Sequence, residues 1–164
     1  MRQPTINLAG FFAAHSVWCV CEGETLIPII AFLRSDGTQE FRRIEDEELE
    51  NALARGNAWL EENPERAVCA LLIYDGFITL TSGKTDAVIL EIREFSGEGP
   101  EALRMEVPYR HATKEEGFAV HKPKFLDASP AVQDFVALGQ AFFQGVERHD
   151  KGSAVWNAHI NETI

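Results

Sequence analysis

The chain has 164 residues, 45% hydrophobic and 25% charged, with a formal net charge of −11. That length suits a single domain with a full core. So acidic a chain repels phosphate backbones and anionic membrane surfaces unless it carries a local basic face, so the expected partner is a basic or neutral protein, with no nucleic acid and no membrane.

The first predicted element is a helix over residues 5–21. Ile6, Gly10, Ala13, Ala14, Val17, Trp18 and Cys21 recur at helical spacing, and Gly23 supplies a left-handed stop. A shorter helix, with residues 17–21 as a strand, is the alternative. The segment has no basic n-region and falls short of the ~20 residues of a membrane span, so it is expected to stay in the mature protein. Cys19 and Cys21 lie too close to bridge easily, and with Cys69 they make an odd count. Free thiols in a reducing, cytoplasmic setting follow.

Residues 26–33 read as a strand, with Pro28 placing it at a sheet edge or marking its start. Ser35-Asp36-Gly37 is a hairpin turn, and residues 38–44 return as the partner strand. An acidic helix is predicted over residues 45–62, buried through Leu49, Ala52, Leu53, Gly56, Trp59 and Leu60 and ended by Asn63-Pro64. It carries seven acids and one arginine, −6 of the total charge.

Residues 67–74 are apolar throughout, as a strand covered on both faces should be. Asp75-Gly76 reads as a turn into a strand over residues 77–81. A long strand follows over residues 87–95, with Val88, Leu90 and Ile92 on one face and Glu91 and Arg93 on the other. A glycine-rich loop over residues 96–100 leads into residues 103–109, where Leu103, Met105, Val107 and Tyr109 point in. Arg104 and Glu106 point out, placed to pair with Glu91 and Arg93. Residues 117–121 make a short further strand. Ser129-Pro130 opens the last helix, with Val132, Phe135, Val136, Gly139, Phe142, Phe143 and Val146 as its stripe. One α+β domain is expected over residues 1–152, with a partly ordered tail over 153–164 pinned by Trp156. The sheet should be mainly antiparallel, with about three helices covering one face.

Few segments carry chemistry. Thr81-Ser82-Gly83-Lys84-Thr85 ends like a phosphate-binding loop, but Ile78 stands where the motif needs glycine and a strand follows where it needs a helix. It reads as a hairpin turn with an exposed lysine. The lone C-x-C of Cys19 and Cys21 does not meet zinc spacing, so no metal or cofactor is expected. No nucleophile elbow is present.

Two charge clusters remain. Glu45, Asp46, Glu47, Glu48 and Glu50 form an acidic surface suited to steering onto a basic protein. Residues 104–124 carry a net charge of +2 and hold Tyr109, Arg110, His111, His121 and Lys122, the ingredients of an anion pocket or a small-molecule enzyme if they converge. With no assembled reactive motif, the leading expectation is a non-enzymatic protein-binding module. A homo-oligomer pairing along the Pro28 strand is a further expectation.

Overall fold

A computed structural model describes every residue except Ser96 and Glu98. The loop expected over residues 96–100 includes those two positions and to that extent lies outside the described residues. The architecture is α+β: among the described residues there are four helices and a seven-stranded antiparallel sheet. In chain order the elements are α1 (Gln3–Val20), β1 (Ile29–Leu33), β2 (Gln39–Arg43), α2 (Leu49–Glu62), β3 (Cys69–Leu80), β4 (Gly83–Glu94) and β5 (Glu101–Arg110), followed by β6 (Ala119–Val120), β7 (Lys124–Leu126), α3 (Phe135–Glu147) and α4 (Asp150–His159). The sheet order is β2-β1-β3-β4-β5-β6, with β7 also pairing β5.

Alternation along the central strands builds the main core. Cys69, Leu71, Ile73, Val88, Leu90, Ile92, Leu103, Met105, Val107 and Tyr109 lie on one face beneath α1 and α3, with Trp156 of α4 buried beside them. The opposite face is not bare. Ile30, Phe32, Ala70 and Leu72 pack against Ala52 and Leu60 of α2. Helices therefore cover both faces, correcting the expectation of one. The all-apolar run of β3 records this double coverage.

α1 runs through Val20 as a helix, with Gly23 at φ 91° donating its N–H to the Val20 carbonyl. Its N-terminal turn meets the buried Glu94 carboxylate, which accepts from the Arg2 backbone N–H at 2.8 Å and from Thr5 Oγ1 at 2.5 Å. A carboxylate there complements the helix dipole. Trp18 departs from the predicted buried stripe, being 37% exposed.

Three close approaches lock the helices together. A Cβ on Gly10 would lie 1.9 Å from the Phe142 carbonyl oxygen, one on Gly145 2.0 Å from that of Asn7, and one on Gly152 2.4 Å from that of Ala14. Only glycine permits these backbone contacts between α1 and its two partners.

Several boundaries move. The acidic run at 45–48 precedes α2 instead of forming its first turn, because the Asp46 carboxylate accepts the Glu48 N–H at 3.1 Å and turns the chain. Leu49 then stands 49% exposed. Asp75-Gly76 is not a turn: β3 runs straight through it, with Gly76 opposite Ala87, and the chain reverses through Thr81-Ser82, with Gly83, φ 116°, opposite Leu80. Glu91 does pair with Arg104, at 3.2 Å, but Arg104 also takes Glu106, and Arg93 lies opposite Ala102.

Ser129 does not cap α3. Its Oγ accepts the Ala102 N–H at 2.8 Å, and Asp134 caps the helix by accepting the Ala137 N–H. The buried face of α3 is Leu138, Ala141, Phe142, Gly145 and Val146, leaving Val136 74% exposed and Phe135 and Phe143 partly so. β1 lies inside the sheet, so the edge belongs to β2, and pairing of a second copy along the Pro28 strand has no free edge to use.

Candidate functional site

Ile29 at the start of β1 is paired with Ile73, so β3 beyond residue 73 and its partner β4 project past β1 as a hairpin. The chain leading into β1 and the chain leaving β2 face this hairpin. Between them lies an open cleft of about 430 Å³. Its apolar surface comes from Leu26, Ile27, Pro28, Ile44, Leu49, Ala52 and Phe77. Three of these are large and solvent-facing: Ile27 at 42%, Leu49 at 49% and Phe77 at 63% exposure.

Five carboxylates surround that surface: Glu45, Asp46, Glu47, Asp75 and Asp86. None of the described residues lining the cleft is a lysine, arginine or histidine, although the Lys84 ammonium lies 4.1 Å from the centre of the Phe77 ring at its margin. Of the acids named from sequence, Glu45, Asp46 and Glu47 thus reach the site, whereas Glu48 sits at the N-cap of α2 and Glu50 in its first turn. Arg55 touches the Glu45 carbonyl at 3.2 Å and Asp46 at 3.5 Å, a long exposed pair that leaves Glu45 and Glu47 for other partners.

The inner end of the cleft holds Asp75, a residue the sequence reading assigned to a turn. Both of its oxygens lie near Tyr109 Oη, at 2.9 and 3.0 Å, so one hydroxyl proton is shared between them. Burial raises the Asp75 carboxyl above its ordinary range, and neighbouring Asp86 adds to this, against the lowering by the Tyr109 hydrogen bond. Burial likewise pushes the Tyr109 phenol up, with the Asp75 charge adding to it. Two adjacent acids in a partly dehydrated setting favour a cation between them.

Behind this wall is a second cavity of about 190 Å³. It is lined by Tyr109, Arg110, His111 and His121, four of the five residues named for an anion pocket, with Lys84, Lys114 and Asp86 added. Lys122 does not line it. Tyr109 Oη is committed to Asp75, and Arg110 is committed to the Gly117 and Glu116 carbonyls at 2.8 and 3.2 Å. His111 Nδ1 accepts the Thr113 N–H, so its neutral ring carries the proton on Nε2. His121 Nδ1 donates to the Asn161 carbonyl at 2.9 Å.

A third cluster joins α1 to the start of α4. His149 Nδ1 accepts the Gly152 N–H at 2.9 Å, so its neutral ring carries Nε2–H, which lies 3.0 Å from His15 Nδ1. His15 then carries its proton on Nε2, 3.6 Å from Cys19 Sγ. In this arrangement His15 donates toward sulfur and has no lone pair to take the thiol proton. Burial raises the Cys19 thiol further, so the cluster is a packed relay and not an activated nucleophile. The i, i+4 spacing of His15 and Cys19 was readable, but the approach of His149 from α4 was not.

No helix among the described residues is long and apolar enough to cross a membrane. No family model, curated protein or solved structure matches the chain.

Proposed function

We propose that this protein is a non-enzymatic binding module, acting in the cytoplasm, that docks a cationic and apolar segment of a partner protein in the cleft between the β3–β4 hairpin and the residues preceding α2. The observation that carries this is an exposed apolar surface ringed by five carboxylates, with no basic side chain among the described residues that line it. Interfaces take their specificity from an apolar centre with a polar rim, and the sign of the rim selects the partner. The −11 net charge extends the same field over the molecule and speeds encounter with a basic partner at low salt.

Convergence of Tyr109, His111 and His121 favours anion binding over catalysis as the second reading, since the tyrosine and the arginine beside it are already hydrogen-bonded within the fold. The test of the main reading is selection from a phage-displayed library of random dodecapeptides, with the double variant Leu49→Lys, Phe77→Ala as counter-target. Lysine or arginine beside an aliphatic or aromatic residue is expected in the selected sequences, with binding lost on the variant and weakened by salt. Failure to enrich any peptide, or equal binding to the variant, would overturn the proposal.

A further inference from the structure

The acidic cleft and the basic cavity share a wall. Asp86 lines both. Phe77 belongs to the cleft and Lys84 to the cavity, and the Lys84 ammonium lies 4.1 Å from the centre of the Phe77 ring. Asp75 belongs to the cleft and Tyr109 to the cavity, and they are joined by a hydrogen bond. Phe77, Asp86 and Tyr109 stand opposite one another on β3, β4 and β5, on one face of the sheet. Tyr109 is buried, so a ligand leaving the cleft runs over Phe77 and Asp86, from an apolar lining whose charged side chains are acidic to one supplied by Lys84, His111 and Lys114.

Resting on the docking function proposed above, we infer that the partner segment is bipolar, with a basic side chain at Asp75 and Asp86 and a carboxylate received by Lys84, Lys114 and the His111 Nε2–H. Two inter-strand steps of roughly 4.8 Å separate β3 from β5. An extended peptide covers that span in about three residues, at roughly 3.3 Å each. The recognised pattern is therefore a lysine or arginine, an apolar residue for the Phe77 surface, and a carboxylate about three positions from the cation. The carboxylate is either an aspartate or glutamate side chain or the end of the partner chain. Among the described residues lining the basic cavity, which include Thr163 and Ile164, one side chain is acidic, Asp86, so a carboxylate beside Lys84 and Lys114 gains more there than a neutral group of the same shape.

The experiment uses the peptides selected against the whole protein. Acidic residues are expected to be enriched two to four positions from the basic one. In fluorescence-anisotropy titrations of a selected peptide, replacing its acidic residue by the matching amide should weaken binding about five-fold or more. Against the double variant Lys84→Glu, Lys114→Glu, that preference should vanish or reverse while dependence on the peptide's lysine remains. Amidated and free-acid peptides then separate a terminal carboxylate from a side chain. Cleft-dependent peptides with no acidic preference, or an unchanged preference on the charge-reversed variant, would overturn the bipolar assignment and leave the docking function standing. An absence of cleft-dependent peptides would overturn both.

Discussion

The tightest constraint in the molecule is the crossing of α1 and α3, and a pair of glycines in α3 tests it. At Gly145 an added Cβ would lie 2.0 Å from the Asn7 carbonyl oxygen, 2.8 Å from its carbon and 3.0 Å from the Phe11 nitrogen. All three are backbone atoms of a helix and cannot rotate away. Relief requires the two helices to part by more than 1 Å, which loosens the packing of Phe142 and Val146 on the sheet core. Overpacking of this kind costs about 1–3 kcal/mol and more where the neighbour is rigid. At Gly139, three residues after Val136, nothing lies within 4 Å. Both substitutions by alanine gain the same helix propensity, about 1 kcal/mol. Gly139→Ala should therefore stabilise by roughly 0.5–1 kcal/mol, and Gly145→Ala should destabilise by about 2 kcal/mol, an overpacking cost of about 3 kcal/mol less the propensity gain of about 1 kcal/mol. In a chain of this size that is a fall in melting midpoint of roughly 4–8 °C. Urea unfolding followed by circular dichroism reads both values. A Gly145→Ala protein within about 0.5 kcal/mol of the parent, the usual scatter of a neutral surface change, would refute the close-packed crossing.

Burial, with His149 and Arg43 adding to it, lowers His15 from 6.5 to about 4. The folded state favours the neutral ring, so this contribution is whole above pH 6.5 and is lost as the pH falls to 4, at a cost of about 3 kcal/mol at most and roughly half that after solvent screening. Urea midpoints measured across this range should fall more steeply for the parent than for His15→Leu, and parallel curves would contradict the relay. Asp75→Asn keeps an acceptor for Tyr109 and removes a charge that burial disfavours. Stability at pH 7 should be equal or higher while affinity for a selected cationic peptide drops about ten-fold, and an unchanged affinity would remove Asp75 from the site. Trp156→Ala, at a side chain 1% exposed, should cost about 3–5 kcal/mol; a small loss in thermal or urea unfolding would show that α4 is dispensable.

Local signals in the chain were reliable where neighbours in sequence supply the energy. The turn at Ser35-Asp36-Gly37, the left-handed stop at Gly23 and the end of α2 at Asn63 all rest on contacts within a few residues. They failed where a distant group claims the side chain. Asp75-Gly76 has turn composition, but Tyr109, 34 residues away, holds Asp75 in an extended strand. Ser129 has N-cap chemistry, but the Ala102 N–H takes its oxygen. The acidic run was readable as a surface, but the cleft it borders was not: Ile27, Asp75, Phe77 and Asp86, which complete the lining, come from other segments.

Composition and periodicity determined the fold class, the charge and most strand positions, because alternation and helical repeats are properties of one segment at a time. The tertiary structure decided that α2 covers the second face, that the hairpin overhangs β1, and that an anionic cleft abuts a cationic cavity. Those outcomes depend on strand register and on which backbones can approach one another, as Gly10, Gly145 and Gly152 allow here, and register is settled only when the whole sheet closes on its core.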